Sequence, residues 1–269
     1  MNTLVKTSLI VAATGVVGVG LISSQASADS YKSDLKNKGE LTVGLEGTYA
    51  PFSYKNKSGK LVGYDVDVAK AVAKEMGLKP VFVETKFDSL VAGLDANKYD
   101  VVYNDMGKTK EREKNYAFGG QYLNSEAVII VKKDSDIKTV KDLKGKKAAQ
   151  TTSSNYGQAA KKNKAELVSA PGFAEALDLV SSGKADATLN ADDAWSIYKK
   201  EHPKTDLKAI RTDDLDSSGA APMLNKKDKQ LAKEITKAQD KLKEDGTLTK
   251  LSKQYFDKDL SGSKDDKKD

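Results

Sequence analysis

Cysteine is missing from all 269 residues, which excludes disulfides, thiolate nucleophiles and cysteine metal sites. Histidine is nearly missing too. The single one, His202, stands in Lys200-Glu201-His202-Pro203, a polar helix end, with no companion for a metal site or a catalytic triad, so it reads as solvated surface. No block of like charge occurs. The 45 Lys+Arg and 39 Asp+Glu are interspersed along the chain, the pattern of a solvated face, and a surplus of +6 gives no argument for nucleic acid. Beyond the amino-terminal segment there is no long apolar run, and no internal repeat is visible.

The one long apolar run, Leu9 to Ile22, follows Lys6 and closes on Ala26-Ser27-Ala28. A short apolar core ended by small residues is a secretory leader with cleavage before Asp29; as a retained membrane span the run is short and rich in small residues. Residues 1–28 are therefore set apart from the fold. About 240 residues remain, enough for one large or two small cores. Cleavage takes one lysine and no acid, so 44 basic residues face 39 acidic ones and the net charge becomes +5. Such a surplus is compatible with adhesion to an acidic cell wall.

Strand and helix patterns then alternate. Residues 29–38 are polar and read as a flexible lead-in with one short helical turn. Leu41 to Leu45 is an apolar strand that breaks at Gly44 and Gly47 and presents Tyr49 and Phe52 beside Pro51. Lys57-Ser58-Gly59-Lys60 has turn chemistry between two extended runs, which predicts a hairpin from Phe52–Tyr54 and Leu61–Tyr64. Gly63 to Gly77 follows as an amphipathic helix. Asp65 and Asp67 occupy its first turn, facing the positive end of the helix dipole, and Gly77 supplies a left-handed stop. Further strands are expected at Lys79–Glu84, Tyr99–Tyr103, Tyr122–Val131, after Ala148 and at Ala185–Leu189, and helices at Phe87–Leu94, Gly172–Ser182, Lys227–Lys243 and Leu248–Tyr255. Short connections between strand and helix imply mainly parallel sheets covered by helices.

The strand and aromatic turn from Leu41 to Tyr54, together with Gly63-Tyr64-Asp65-Val66-Asp67-Val68-Ala69-Lys70, resemble the amino-acid-binding family of extracellular solute receptors, which feed ABC importers. The likeness runs from about Gly39 to about Leu260 and includes Glu244-Asp245-Gly246-Thr247-Leu248 and Tyr255-Phe256 near the end. It implies an α/β clamshell of two lobes joined by extended crossings near residues 123–130 and 216–223. The first lobe would comprise 39–125 and 221–260, the second 126–220, and 261–269 would be a disordered tail. Ligand would lie where the turns at Tyr49, Asp105, Ser154 and Asp192 gather at the carboxyl ends of the strands. The resemblance implies no cofactor, no metal and no catalysis. Its partners would be an amino acid and a membrane permease, and the receptor would act as a monomer outside the cytoplasm. Relatives in single-membrane bacteria are typically tethered by a lipid on a cysteine after the leader, and this chain has no cysteine to carry one.

Site residues follow from the same resemblance. Arg112 lies in Asn104-Asp105-Met106-Gly107-Lys108-Thr109-Lys110-Glu111-Arg112, and the family's arginine there grips the ligand's α-carboxylate. A guanidinium suits the task because it offers paired donors and keeps its charge. Read locally, Arg112 is a surface residue pairing with Glu111 or Glu113. Ser154 and Asn155 lie where the family has a second anion-gripping turn, although a Ser/Thr/Asn cluster before a helix is also an ordinary N-cap. Tyr49 and Phe52 would cover the ligand's side chain. Where many members place an aspartate for the ligand ammonium, this chain has Ala191, so the carboxylate would come from Asp192 or Asp105. Gly44-Leu45-Glu46-Gly47-Thr48-Tyr49, Thr85-Lys86-Phe87-Asp88 and Asn155-Tyr156 look most like members that take L-cystine, with Glu46 a candidate for its second amino-acid head. Glutamine, histidine and arginine are the alternatives on this scaffold. Two other classes stay open: a cell-surface adhesin, and a dehydratase-like enzyme using Asp105, Asp192 or Glu46 as its acid.

Overall fold

The computed structural model describes residues 30–33, 35–212, 214–215 and 219–262, so the expected leader, most of the expected tail and part of the return crossing lie outside the described residues. Two five-stranded sheets form the two halves. The first runs β5 (Lys79–Glu84), β1 (Glu40–Leu45), β6 (Val101–Val102), β13 (Met223–Asn225), β7 (Tyr116–Phe118). The second runs β10 (Glu166–Ser169), β9 (Lys147–Gln150), β11 (Ala187–Ala191), β8 (Ala127–Lys132), β12 (Leu207–Arg211). A small sheet of β2 (Thr48–Tyr49), β3 (Ser53–Lys55) and β4 (Leu61–Val62) carries the expected hairpin, with Tyr54 opposite Val62. The fold is thus α/β and two-lobed.

Helices cover both sheets. In the first lobe they are α1 (Tyr64–Glu75), α2 (Phe87–Asp95) and α3 (Lys110–Asn115); the second lobe has α4 (Asn155–Lys162), α5 (Phe173–Ser181) and α6 (Asp192–Glu201). Two more, α7 (Lys229–Glu244) and α8 (Thr247–Phe256), return to the first lobe and pack on α1. Each sheet mixes directions rather than being mainly parallel: β1 pairs parallel with β5 and β6, while β13 runs antiparallel to β6 and β7. Likewise β8 is antiparallel to both β11 and β12. The reason is the double crossing, since strands that follow a crossing enter their sheet from the opposite end. Strands β7, β10 and β12 were not expected; β7 is only three residues long, and β10 and β12 mix polar with apolar residues, so none stands out from its surroundings.

The two crossings lie side by side. Tyr122 N–H donates to Ala220 O (3.0 Å) and Ala220 N–H to Leu123 O (2.9 Å). Gly63 begins α1 at φ 137°, and a β-carbon there would fall 2.1 Å from Phe52 O, so only glycine allows the hairpin and helix to meet this closely. Described residues of the expected flexible lead-in are held in the fold. Tyr31 and Leu35 are buried in the first-lobe core, and Lys36 N–H donates to Asp100 at 2.7 Å. Ser261 is buried as well, so the folded body extends past the expected tail boundary.

Strand β8 is covered on both faces: Ala127, Ile129 and Val131 pack on one side, Val128 and Ile130 on the other. Replacing Ile130, which is fully buried, with Ala is expected to cost about 2–5 kcal/mol. A lower urea midpoint at unchanged slope measures it.

Candidate functional site

Both sheets aim strand ends at one cleft. The lobes meet across it through Tyr49 O–H, which donates to Asn190 Oδ1 at 2.9 Å, and through Ser153, whose N–H and O–H donate to Asp88 Oδ1 at 3.0 and 2.6 Å. Tyr49 also stands edge-on to Phe173, with ring centres 6.2 Å apart. Between these contacts is a cavity of about 60 Å³, room for a few waters at roughly 10–15 Å³ each.

Arg112 lines this cavity. Thr109 caps α3 by accepting Arg112 N–H at 3.2 Å, and the Arg112 guanidinium donates to Gly107 O at 3.0 Å. Glu111 and Glu113 pair with Lys114 and Lys108 instead, so the local alternative for Arg112 is not what the structure adopts. Burial lowers the Arg112 pKa to about 10, still high enough to keep the charge at neutral pH. Asp105 lies on the same turn, at φ 46°, in the left-handed region that few residues with a side chain occupy. Its N–H donates to Asp65 Oδ2 at 2.7 Å, and its Oδ2 stands 3.3 Å from the Tyr49 hydroxyl. Burial, and after it the carboxylates of Asp193 and Asp65, hold Asp105 well above the usual carboxylate range.

Glu46 is 8% exposed; its N–H donates to Asn104 Oδ1 at 2.9 Å and its Oε2 accepts from Asn104 Nδ2 at 2.7 Å. Burial pushes its pKa to about 7, against the Asn104 bond and with help from Glu175 and Asp88. Ser154 and Asn155 also line the cavity. The Ser154 hydroxyl accepts Gly157 N–H and donates to Thr151 O, both at 2.9 Å, so it acts as the N-cap of α4 in this closed form.

Two expected residues lie elsewhere. Phe52 is fully buried behind Tyr49 at 4.7 Å between ring centres, and its other neighbour is Phe256 at 5.9 Å; it supports the tyrosine and does not line the cavity. Asp192 opens α6, and its carboxylate leaves on the hinge side, 2.9 Å from Arg211 Nη2, in a separate groove. Of the two candidates for an ammonium partner, only Asp105 faces the cavity. Residues not anticipated include Asn190, Gln150 and Phe173 on the cavity wall, together with Asp65 and Asp193, which lie off the wall and act on Asp105 through their charge, Asp193 lining the hinge-side groove. Polar Gln150 and Asn190 at the ends of apolar strands β9 and β11 were the available signal.

A cleft between two α/β lobes, holding one fixed cation and several carboxyls at strand ends, defines a ligand-binding protein of the clamshell class. Residues 41–258 match the bacterial extracellular solute-binding proteins, family 3, and the chain belongs to that family. It is 40% identical over 261 residues to the L-cystine-binding protein TcyA of Bacillus subtilis, covering 94% of this chain and 96% of that one. An ancestral arginine-binding protein bound to arginine has a TM-score of 0.74 at 35% identity, covering 81% of this chain and 98% of its own. The L-cystine solute receptor of Neisseria gonorrhoeae, unliganded and open, reaches only 0.57 at 43% identity, covering 87% and 100%. Higher identity with a lower TM-score fits the difference between an open cleft and the closed one seen here.

Phe52→Ala is expected to cost about 3–5 kcal/mol of stability in urea unfolding. Asp192→Ala is expected to leave amino-acid affinity unchanged by calorimetry, because its partner Arg211 lies outside the cavity; the opposite pattern would return both residues to the ligand.

Proposed function

We propose that this chain is an extracytoplasmic, monomeric receptor that closes its lobes over one free polar amino acid, L-cystine being the ligand best supported, and presents it to the membrane permease of an ABC importer. The observation that carries this reading is the turn from Asn104 to Arg112, which offers an α-amino acid both counter-charges at one cavity: Arg112 for the carboxylate and Asp105 for the ammonium. Glu46 stands on the same wall for the second amino group of cystine. The 40% identity to a cystine-binding protein supports the choice of ligand. Arginine is the second reading, favoured by the excess of carboxyls: Glu46 is influenced by both Glu175 and Asp88, and among the described residues no lysine lines the cavity. Tyr49 covers the ligand side chain, and closure follows because the ligand bridges both lobes only when they meet.

Thermal unfolding against a panel of amino acids, after stripping bound ligand by unfolding and refolding, tests both parts. Selective binding to the folded state stabilises by about 2.7 kcal/mol at a hundredfold excess over Kd. A shift with cystine alone upholds the ligand, a shift with another amino acid replaces it, and no shift removes the function. Arg112→Ala is expected to weaken binding by about 2–5 kcal/mol, roughly thirty- to several-thousandfold, with an unchanged circular dichroism spectrum.

A further inference from the structure

The tyrosine that crosses the cleft has one hydroxyl hydrogen and two oxygens within reach. Tyr49 Oη stands 2.9 Å from Asn190 Oδ1 and 3.3 Å from Asp105 Oδ2. Asn190 Oδ1 also accepts Ala191 N–H at 2.7 Å, so that atom is the amide oxygen and not the nitrogen. The hydrogen therefore goes to the nearer Asn190. The contact with Asp105 is then satisfied when Asp105 carries a proton and donates it to the tyrosine oxygen.

Asp65 points the same way. It is fully buried, and both its oxygens act as acceptors, from Asp105 N–H at 2.7 Å and from Tyr122 O–H at 2.8 Å. Burial disfavours the charge of Asp65 first, the two accepted bonds work against burial, and once Asp65 is ionised a second negative charge beside it is disfavoured. Asp193, 3% exposed, adds a third carboxyl from α6, with Oδ2 lacking a hydrogen-bond partner among the described residues. Burial raises Asp65 and Asp193 to about 7 each. Arg112 of α3 is the cation that acts on Asp105. The other titratable groups around it are the hydroxyls of Tyr49, Tyr64, Tyr122 and Tyr156, all pushed upward by burial first. Asp65 and Asp105 belong to one lobe, so their repulsion persists when the cleft opens.

We propose that Asp105 is a proton-linked grip for the ligand ammonium, protonated in the empty cleft and ionised in the occupied one, with Asp65 the positioning residue that sets the balance. This rests on the reading of Asp105 as the ammonium partner. The step balances: the O–H bond of the Asp105 carboxylic acid breaks, its proton passes to water, and the carboxylate left behind pairs with the ligand's –NH3+. No other bond changes. A group that must lose a proton to bind makes affinity fall as pH drops below its ligand-free pKa, by about tenfold per pH unit, and level off above it. Removing the charge of Asp65 lowers that pKa, so the fall moves to lower pH.

Calorimetry with L-cystine and with L-arginine, across about pH 5 to 8 in two buffers of unlike ionisation enthalpy at each pH (acetate and MES at the low end, phosphate and Tris at the high end), counts the protons released. Release of about one proton per ligand at the low end is expected in the wild type and none in Asp105→Asn. Asp65→Asn is expected to move the break in the affinity profile downward; Asp193→Asn, on the helix whose Ala194 and Ile197 stay packed in the first-lobe core, is expected to move it the same way and serves if the first variant does not fold. Carbon NMR titration of labelled aspartate in the ligand-free protein reads Asp105 directly, whichever ligand proves right. It is expected to titrate above the ordinary aspartate range in the wild type and lower in Asp65→Asn. No proton release, or an Asp105 that titrates in the ordinary range, overturns the proton linkage. An unshifted profile in both Asp65→Asn and Asp193→Asn overturns the role of their charges. If neither amino acid binds, the reading of the cavity as an amino-acid site fails, and the NMR titration alone decides the protonation.

Discussion

A single carboxylate with no contact to solvent ties the site to the frame. Asp65, in the first turn of α1, accepts from the backbone of Asp105 and from the hydroxyl of Tyr122. The first bond holds a left-handed residue whose side chain faces the cavity. The second reaches a residue of the hinge crossing, and Tyr64, the neighbour of Asp65, donates to the carbonyl of that same Tyr122 at 2.8 Å. Helix start, binding turn and hinge therefore share one buried network. Such a network rigidifies when every member is satisfied and is costly when one is lost.

The same arrangement gives the cleft an unbalanced charge. Glu46, Asp65, Asp105 and Asp193 crowd around it, and Arg112 is the cation lining its wall. Carboxyls brought together in a poorly hydrated space cannot all ionise, so some stay neutral until a cationic group arrives. Under the proposed function an amino acid brings an ammonium for that environment and a carboxylate for Arg112, opposite charges on one ligand for opposite groups held on one turn.

Closure depends on contacts of a different kind. Tyr49 with Asn190, and Asp88 with Ser153, join lobes through residues far apart in the chain, and both pairs lie where strand ends or helix starts project into the cleft. They are few and partly exposed, which suits a cleft that must open. The permanent joint is elsewhere, where the two crossings hydrogen-bond side by side and Ala194 and Ile197 of α6 pack into the first-lobe core.

Local patterns were enough for the order of most elements, because apolar periodicity and glycine stops act over a few residues: β5 covers Lys79–Glu84 as expected, and Gly183, at φ 72°, follows the end of α5. They were enough for the place of Arg112 too, through the likeness of the turn around it. They did not distinguish Asp105 from Asp192, nor Phe52 as a support from Phe52 as a wall. Those differences arise from the direction in which a side chain leaves its element and from what stands opposite, here Arg211 of β12 for Asp192 and Phe256 of α8 for Phe52. The strands that complete each sheet after a crossing carry the same limit. The sequence by itself determined which segments become strands and helices and which turn carries the charges, since those are set by neighbours in the chain. Only the tertiary structure decided which carboxyls share a space, because their protonation and partners depend on burial and on residues dozens of positions away.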